Sequence, residues 1–399
     1  MPSSTSTADP TPSHSRITSI DLLRGIIMIV MALDHTRDFF HATALTADPL
    51  NPETTTPVLF FTRWITHYCA PTFVFLSGLS AYLSSQKKTQ KEASLFFLKR
   101  GLWLIFVEIV IVSFGLSFDP KFGFIIWQVI WAIGCSLIIL SFVRLLPKAV
   151  ILTIGCVLFF GHDAMNYIRP PQPGLGADLV TVFLTAFRNI IPIGSNRVIG
   201  DLYAILPYTG VMLIGYSIGY WFGKDFSPKR RRQNLLRTGL SFIVLFIVLR
   251  LINDYGDPSK RVELGNWRSL LSFLNTSKYP PSLQFCCMTL GPSIVFLSFS
   301  ENLKTWWSRI FSVYGKVPFF YYILHFYLLH VLLVIAFYAT GHTNNEIYGV
   351  PVFFRPVNFG FNIIIVYLIW LGVVASLYFP CRWFYKYKMS HQQWWLKYL

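Results

Sequence analysis

The chain alternates between long apolar runs and short polar stretches, and this pattern predicts an α-helical membrane protein. A helix needs about 20 residues to cross the hydrocarbon core of a bilayer. Ten runs reach or approach that length: 18–35, 57–84, 94–117, 122–143, 148–161, 199–222, 236–253, 281–300, 317–340 and 360–381. The sequence therefore predicts an all-α, polytopic helical bundle of about ten transmembrane helices.

Three further stretches fall outside these runs. Residues 178–193 are apolar but contain Arg188 and Pro192, which favours an interfacial or re-entrant helix over an eleventh span. Residues 1–15 are rich in Ser, Thr and Pro and predict a disordered tail. Residues 386–399 combine Trp, Tyr and Lys, which is typical of an interfacial anchor, so residues 16–385 are expected to form one transmembrane domain.

The positions of Lys and Arg predict how the bundle is oriented. Short cytoplasmic loops of membrane proteins carry an excess of these residues. With the N-terminus inside, every inside loop is basic, including the run at 229–232. Both termini are then cytoplasmic. The long loops 36–56, 162–198, 254–280 and 341–359 lie outside, and long loops often carry binding functions.

Composition narrows the class of protein further. Hydrophobic residues make up 54% of the chain and charged residues only 13%, against about 25% charged in soluble domains. The net charge of +16 comes from short loops and not from a basic stripe or a nucleic-acid motif. The pattern therefore argues against a soluble domain and against a nucleic-acid partner.

Ionisable side chains inside a membrane are costly and often mark function. The first span begins SIDLLRG, which places Asp21 and Arg24 three residues apart on one helix face. One interpretation is a structural ion pair at the inner interface. The other is that Arg24 binds a phosphate or pyrophosphate that enters from the cytoplasm, because guanidinium suits such groups.

The outer end of the first span reads MALDHTRDFFH and carries the densest set of candidate residues, Asp34, His35, Arg37, Asp38 and His41. On a continuing helix, all of these except His35 share a face. A histidine beside a carboxylate can act as a general base, with the carboxylate favouring the imidazolium. The alternative is a solvated helix end with local ion pairs.

The second span reads RWITHYCAPTFVFLSG, with Arg63 near the outer interface and His67 one turn deeper. A histidine in a span can be a catalyst or a hydrogen-bonded structural residue. Pro71 removes the hydrogen bond that the His67 carbonyl would normally accept. The sequence therefore predicts a kink beside His67.

Two other spans contain buried titratable groups. Glu108 lies in the apolar interior of the third span, and His325 and His330 lie five positions apart in the ninth. Five positions correspond to about 140° around a helix, so one of these histidines can face a site while the other is structural. No zinc-ligand spacing occurs, and no metal is expected.

Several long motifs resemble a known family of bacterial membrane proteins. The motifs are RITSIDLLRGIIMIVMALDHTRDFFH, LFFTRWITHYCAPTFVFLSG, TSKYPPSLQF, GKVPFFYYILHFYLLH and the closing YFPCRWFYKYK. This family is similar to heparan-α-glucosaminide N-acetyltransferase, the lysosomal enzyme that acetylates a sugar amine across the membrane. The resemblance covers nearly the whole chain after residue 15.

The resemblance implies a membrane-embedded acyltransferase that takes acetyl-CoA from the cytoplasm. The acceptor would be an amine or hydroxyl of an extracytoplasmic sugar or glycan, in a bacterial inner membrane. The sequence FFHAT places His41 where the family has its catalytic histidine, and His35 competes for that role. The expected catalytic residues are His41, His35, Asp34, Asp38 and His67.

Other residues are expected to bind the two substrates. Acceptor binding is assigned to Arg37, Arg63, Glu108 and His330, and acetyl-CoA binding to Arg24, Lys99, Arg100 and Lys316. Two alternatives stay open from the residues alone, a proton-coupled transporter or flippase and a membrane scaffold. The sequence also leaves a homodimer open.

Overall fold

A computed structural model describes residues 17–168, 174–186, 190–194, 196–348 and 352–398 of the chain. The predicted disordered tail, residues 1–15, lies outside this part. The described residues are mostly helical, as predicted, with three short strands.

The α-helices are α1 (Thr18–Phe40), α2 (Pro57–Thr66), α3 (Cys69–Ser85), α4 (Gln90–Phe106), α5 (Ser113–Ser117), α6 (Val129–Val143), α7 (Lys148–Gly161), α8 (Leu175–Val180), α9 (Ile205–Ile218), α10 (Pro228–Ile252), α11 (Asn266–Leu274), α12 (Leu283–Ser300), α13 (Trp306–Lys316), α14 (Pro318–Ala339) and α15 (Ile363–Ser390). The strands are β1 (Phe124–Trp127), β2 (Ile190–Ile193) and β3 (Arg197–Asp201).

Among the residues that the structure describes, five helical segments are long and apolar enough to cross a membrane, as expected of an integral membrane protein. They are Lys148–Met165, Pro228–Ile252, Leu283–Ser300, Pro318–Ala339 and Ile363–Ser390. Each of the ten predicted spans contains a helix, but ten crossings and cytoplasmic termini stay predictions. The central helix α1 is also long, with 23 residues, but it carries charged side chains near both ends, Asp21 and Arg24 at one and Asp34, Arg37 and Asp38 at the other.

Two of the predicted spans are not continuous α-helices in the structure. The second predicted span divides into α2 and α3, with His67 and Tyr68 between them, three to four residues before Pro71. The third continues from α4 into α5 through a π-helical segment, Val107–Val112, that contains Glu108. A π-helical turn inside an α-helix often accompanies a functional site.

The prediction of a helix at 178–193 is correct for its first part only. Its first part forms α8 and a π-helical turn, Thr181–Thr185, but its last four residues form β2. Pro192 has no backbone N–H to continue a helix, and β2 instead pairs antiparallel with β3. β3 also pairs in parallel with β1, and this three-stranded sheet leads directly into α6 through Gln128.

α1 lies at the centre of the fold, where it packs against α3, α12, α13, α14 and α15. Its closest approach is to α13, through Gly25 and Gly315. A Cβ atom at Gly315 would lie 1.8 Å from the Asp21 carbonyl oxygen, and one at Gly25 would lie 1.9 Å from the Phe311 carbonyl oxygen. Small residues at such crossings let helix backbones approach closely in membranes.

Replacing Gly315 with Ala should therefore lower the free energy of unfolding by about 1–3 kcal/mol, the usual cost of overpacking. Gly372→Ala on α15 is the matched control, because no described atom lies within 4 Å of a Cβ at that position. Thermal unfolding in detergent measures both variants. Equal melting temperatures for the two variants would contradict the tight α1–α13 contact.

Candidate active site

The C-terminal half of α1 lines a small cavity, called here the outer cavity, of about 210 Å³. α1 contributes Asp34, His35 and Asp38 to its wall, and α2 contributes Arg63. These four predicted site residues are thus brought together. Helical spacing accounts for the three from α1, since positions separated by three or four residues share a face.

Asp34 is surrounded by three cations from different parts of the chain. Its carboxylate forms an ion pair with Arg63, lies 3.6 Å from the Arg37 guanidinium and lies 3.5 Å from Lys278 Nζ. The Asp34 side chain is only 9% exposed. A buried carboxylate with this many cationic partners holds α1, α2 and the loop before α12 in a defined arrangement.

Arg37 and Asp38 form a second ion pair at the same end of α1. The Arg37 guanidinium donates to the Asp38 carboxylate, whose side chain is 46% exposed, whereas the Arg37 side chain is almost fully buried. Arg37 therefore connects the buried Asp34 to a carboxylate that reaches solvent.

His35 is the one histidine that lines the outer cavity among the described residues. Its ring packs against Phe326, with a centroid distance of 4.5 Å, and against His325, with a centroid distance of 5.3 Å. Both ring nitrogens of His325 are buried without a hydrogen-bond partner among the described residues. Of the two histidines on α14, His325 is thus the one that contacts His35.

His41 lies outside both cavities described here. α1 ends at Phe40, and His41 adopts an extended conformation, so it leaves the helix face that it would share with Asp34 on a continuing helix. It pairs with Phe361 in a short parallel bridge, and its Nδ1 lies 3.1 Å from the Thr43 hydroxyl. Burial lowers the pKa of His41, and the nearby Arg37 and Arg355 lower it further.

His67, Glu108 and His330 also lie outside both cavities. The His67 ring is fully buried against Phe285, with no hydrogen-bond partner for either nitrogen in the described part of the chain. Nδ1 of His330 lies 3.0 Å from the Leu116 carbonyl oxygen, and its Nε2 lies 3.2 Å from that of Phe353. His330 thus joins α14 to neighbouring segments.

Glu108 reaches the edge of the site indirectly. Its Oε1 accepts a hydrogen bond of 2.9 Å from the backbone N–H of Gln128, a residue that lines the outer cavity. The Tyr322 hydroxyl donates to Oε1 of the Gln128 side chain at 3.4 Å. Glu108 and Tyr322 therefore both hold Gln128.

Sequence reasoning gave no role to several residues of the outer cavity, namely Gln128, Tyr203, Lys278, Tyr279 and Arg355. Lys278 and Tyr279 fall within the motif TSKYPPSLQF, and this motif could have marked them as candidate site residues. The Arg355 guanidinium is buried and donates to the carbonyl oxygens of His41, Pro356 and Phe359. No local pattern in the sequence marks Arg355 or Gln128.

A second, larger cavity, called here the inner cavity, occupies about 1440 Å³ around the N-terminal half of α1. Basic side chains dominate its polar wall. They are Arg24, Lys87, Arg100, Lys148, Lys224, Arg231, Lys316 and Lys388. Acidic side chains in the same wall are Asp21 and Asp225, so the inner cavity attracts anions.

Three of the four predicted acetyl-CoA ligands line the inner cavity, and Lys99 does not. Lys99 precedes Arg100 on α4 but is exposed on another face of the helix. Arg24 donates to the Ser80 hydroxyl at 2.7 Å and to the Gly315 carbonyl oxygen at 3.1 Å. Lys316 Nζ lies 4.6 Å from the ring centre of Tyr385.

The two cavities are adjacent inside the bundle. Phe73 of α3 and Val129 of α6 line both of them. On α1, Met28 faces the inner cavity and Met31 faces the outer one. The cavities therefore lie end to end along α1, and Arg24 and His35 are separated by roughly 16 Å of helix axis.

The chain matches the model of a known protein family. A family model described as heparan-alpha-glucosaminide N-acetyltransferase, catalytic, matches residues 16–248. This range includes α1 to α9, most of α10 and all the predicted site residues except Lys316 and His330. No curated protein matches the chain.

Proposed function

Because the chain belongs to the heparan-alpha-glucosaminide N-acetyltransferase catalytic family, we propose that it is a membrane acetyltransferase that uses acetyl-CoA from the cytoplasm. The acceptor is an amine or hydroxyl of a sugar or glycan on the other side of a bacterial inner membrane. The observation that carries this proposal is the end-to-end arrangement of the two cavities along α1.

The inner cavity has the charge that the donor requires. Coenzyme A carries a diphosphate and a 3′-phosphate, and Arg and Lys side chains bind such groups through charge-assisted hydrogen bonds. Arg24, Arg100 and Lys316 come from three different helices and line one cavity. With the phosphates among these cations, the pantetheine arm extends along α1 towards Phe73 and Val129.

The outer cavity has a candidate base for the acceptor. His35 lines it beside Asp34 and Asp38, whose carboxylates favour the imidazolium that forms when the base takes a proton. In the proposed reaction the acceptor nitrogen or oxygen attacks the thioester carbonyl carbon and gives its proton to His35. The C–S bond then breaks, and the coenzyme A thiolate takes the proton from the imidazolium.

Neighbouring residues on α4 provide a matched test of the donor site. Arg100→Ala should weaken acetyl-CoA binding by about 10- to 100-fold, because a hydrogen bond to a charged group contributes about 1.5–3 kcal/mol. Lys99→Ala should leave the affinity close to that of the wild type, because Lys99 is exposed outside the inner cavity. Binding of radiolabelled acetyl-CoA to the purified protein measures both.

Two outcomes would contradict this assignment. Equal losses of affinity for Arg100→Ala and Lys99→Ala would show that acetyl-CoA does not bind in the inner cavity. A wild-type protein that binds no acetyl-CoA, but takes up a solute in response to a proton gradient, would instead favour a transporter.

A further inference from the structure

The boundary between the two cavities crosses α1, α3 and α6 at the same depth in the bundle. On α1 this level falls between Met28 and Met31, on α3 at Phe73 and on α6 at Val129. A donor in the inner cavity and an acceptor in the outer cavity can react only where the cavities meet. The thioester carbonyl must therefore lie at this level.

The N-terminus of α6 lies at the same level. Val129 is the first residue of this 15-residue helix and lines both cavities, while Ile130 lines the inner one. The first backbone N–H groups of a helix have no partner within it and carry the positive end of its dipole. The Gln128 side chain does not cap them, and the described residues show no hydrogen bond to the N–H groups of Val129 and Ile130.

A second, independent feature at this point is the Gln128 side chain, which is 8% exposed and lines the outer cavity. Its Oε1 accepts a hydrogen bond from the Tyr322 hydroxyl, so the oxygen faces α14. The NH₂ group is then the part of the amide that can face the cavity. The Gln128 backbone N–H donates to Glu108, which fixes the turn between β1 and α6. Gln128 is thus held from two sides, and its side-chain NH₂ group has no hydrogen-bond acceptor among the described residues.

We infer that the Gln128 side-chain amide and the N-terminus of α6 form the oxyanion hole of the acetyl transfer, an inference that rests on the proposed function. Attack by the acceptor forms a bond to the carbonyl carbon and moves the carbonyl π electrons onto oxygen. The Gln128 NH₂ group and the Val129 N–H donate to that oxyanion until it collapses and expels the thiolate. Glu108 and Tyr322 are positioning residues for Gln128.

The kinetic test replaces Gln128 with Leu and, as a variant of nearly the same shape, with Glu. Loss of one oxyanion donor typically lowers kcat by about 10²–10³-fold, and both variants should show this loss with unchanged affinity for acetyl-CoA. Retained affinity in purified protein shows that a variant is folded. A rate within about threefold of the wild type in either folded variant would overturn the inference.

A binding test needs no acceptor and separates this inference from the proposed function. The hydrated ketone of trifluoroacetonyl-CoA mimics the tetrahedral intermediate, whereas acetonyl-CoA mimics only the ground state. The wild type should prefer the trifluoro analogue, and Gln128→Leu should lose most of that preference while it still binds acetonyl-CoA. An unchanged preference in Gln128→Leu would overturn the oxyanion hole alone. Failure of the wild type to bind either analogue would overturn the acetyltransferase.

Discussion

Replacing His35 with Ala should lower the rate of acetyl transfer by about 10²–10⁴-fold, the usual contribution of a general base, and leave acetyl-CoA binding unchanged. His35 lines the outer cavity beside Asp34, whereas the donor phosphates are expected among the cations of the inner cavity. Transfer of a labelled acetyl group to glucosamine, together with labelled acetyl-CoA binding, measures the two effects separately.

His41→Ala is the matched control for this prediction. The family resemblance favours His41 as the base, but His41 lies beyond the end of α1, outside both cavities, with its backbone paired to Phe361. We therefore expect His41→Ala to transfer acetyl groups at close to the wild-type rate. The opposite result, an active His35→Ala and an inactive His41→Ala, would show that the acceptor binds elsewhere.

Replacing Asp34 with Ala should lower the free energy of unfolding by about 3–5 kcal/mol, because removal of one partner from a buried ion pair leaves the other charge uncompensated. Arg63, Lys278 and Arg37 all lie against this carboxylate. Their mutual repulsion would separate α1, α2 and the loop before α12. Denaturant unfolding in detergent measures the change.

Asp38→Ala is the control, since Asp38 also pairs with Arg37 but its side chain is half-exposed. Arg37 keeps Asp34 as a partner in this variant, and a pair that reaches solvent contributes only about 0–1 kcal/mol, so Asp38→Ala should unfold nearly as the wild type does. If both variants lose the same stability, the three-cation arrangement around Asp34 does not hold the helices together. Recovery of stability in Asp34→Ala/Arg63→Met would support the role of repulsion.

The helices of this protein follow from local pattern, and the interruptions follow from particular residues. Apolar runs predict where most of the helices lie, and Pro71 predicts the break beside His67. The runs miss α11 and α13, which lie between predicted spans. Pro192 explains why part of a predicted helix is β2. The π-helical segment around Glu108 has no such local signal in the sequence, and its Glu108 carboxylate accepts a hydrogen bond from the backbone N–H of Gln128, 20 residues away.

The site shows the same division between local and long-range information. Asp34, His35 and Asp38 could be placed together because they share one helix. Lys278 and Arg355 could not, since long loops bring them to the cavity from distant parts of the chain. The placement of His41 depended on one detail, whether α1 continues past Phe40, and helix ends are hard to derive from periodicity alone.

The most direct test of the two-cavity account is a sided transfer assay in sealed proteoliposomes. Labelled acetyl-CoA, which does not cross the bilayer, is added outside, and glucosamine is trapped in the lumen. The account predicts labelled N-acetylglucosamine inside the vesicles and free coenzyme A outside. Labelled product that forms only when acetyl-CoA and glucosamine are on the same side would contradict it.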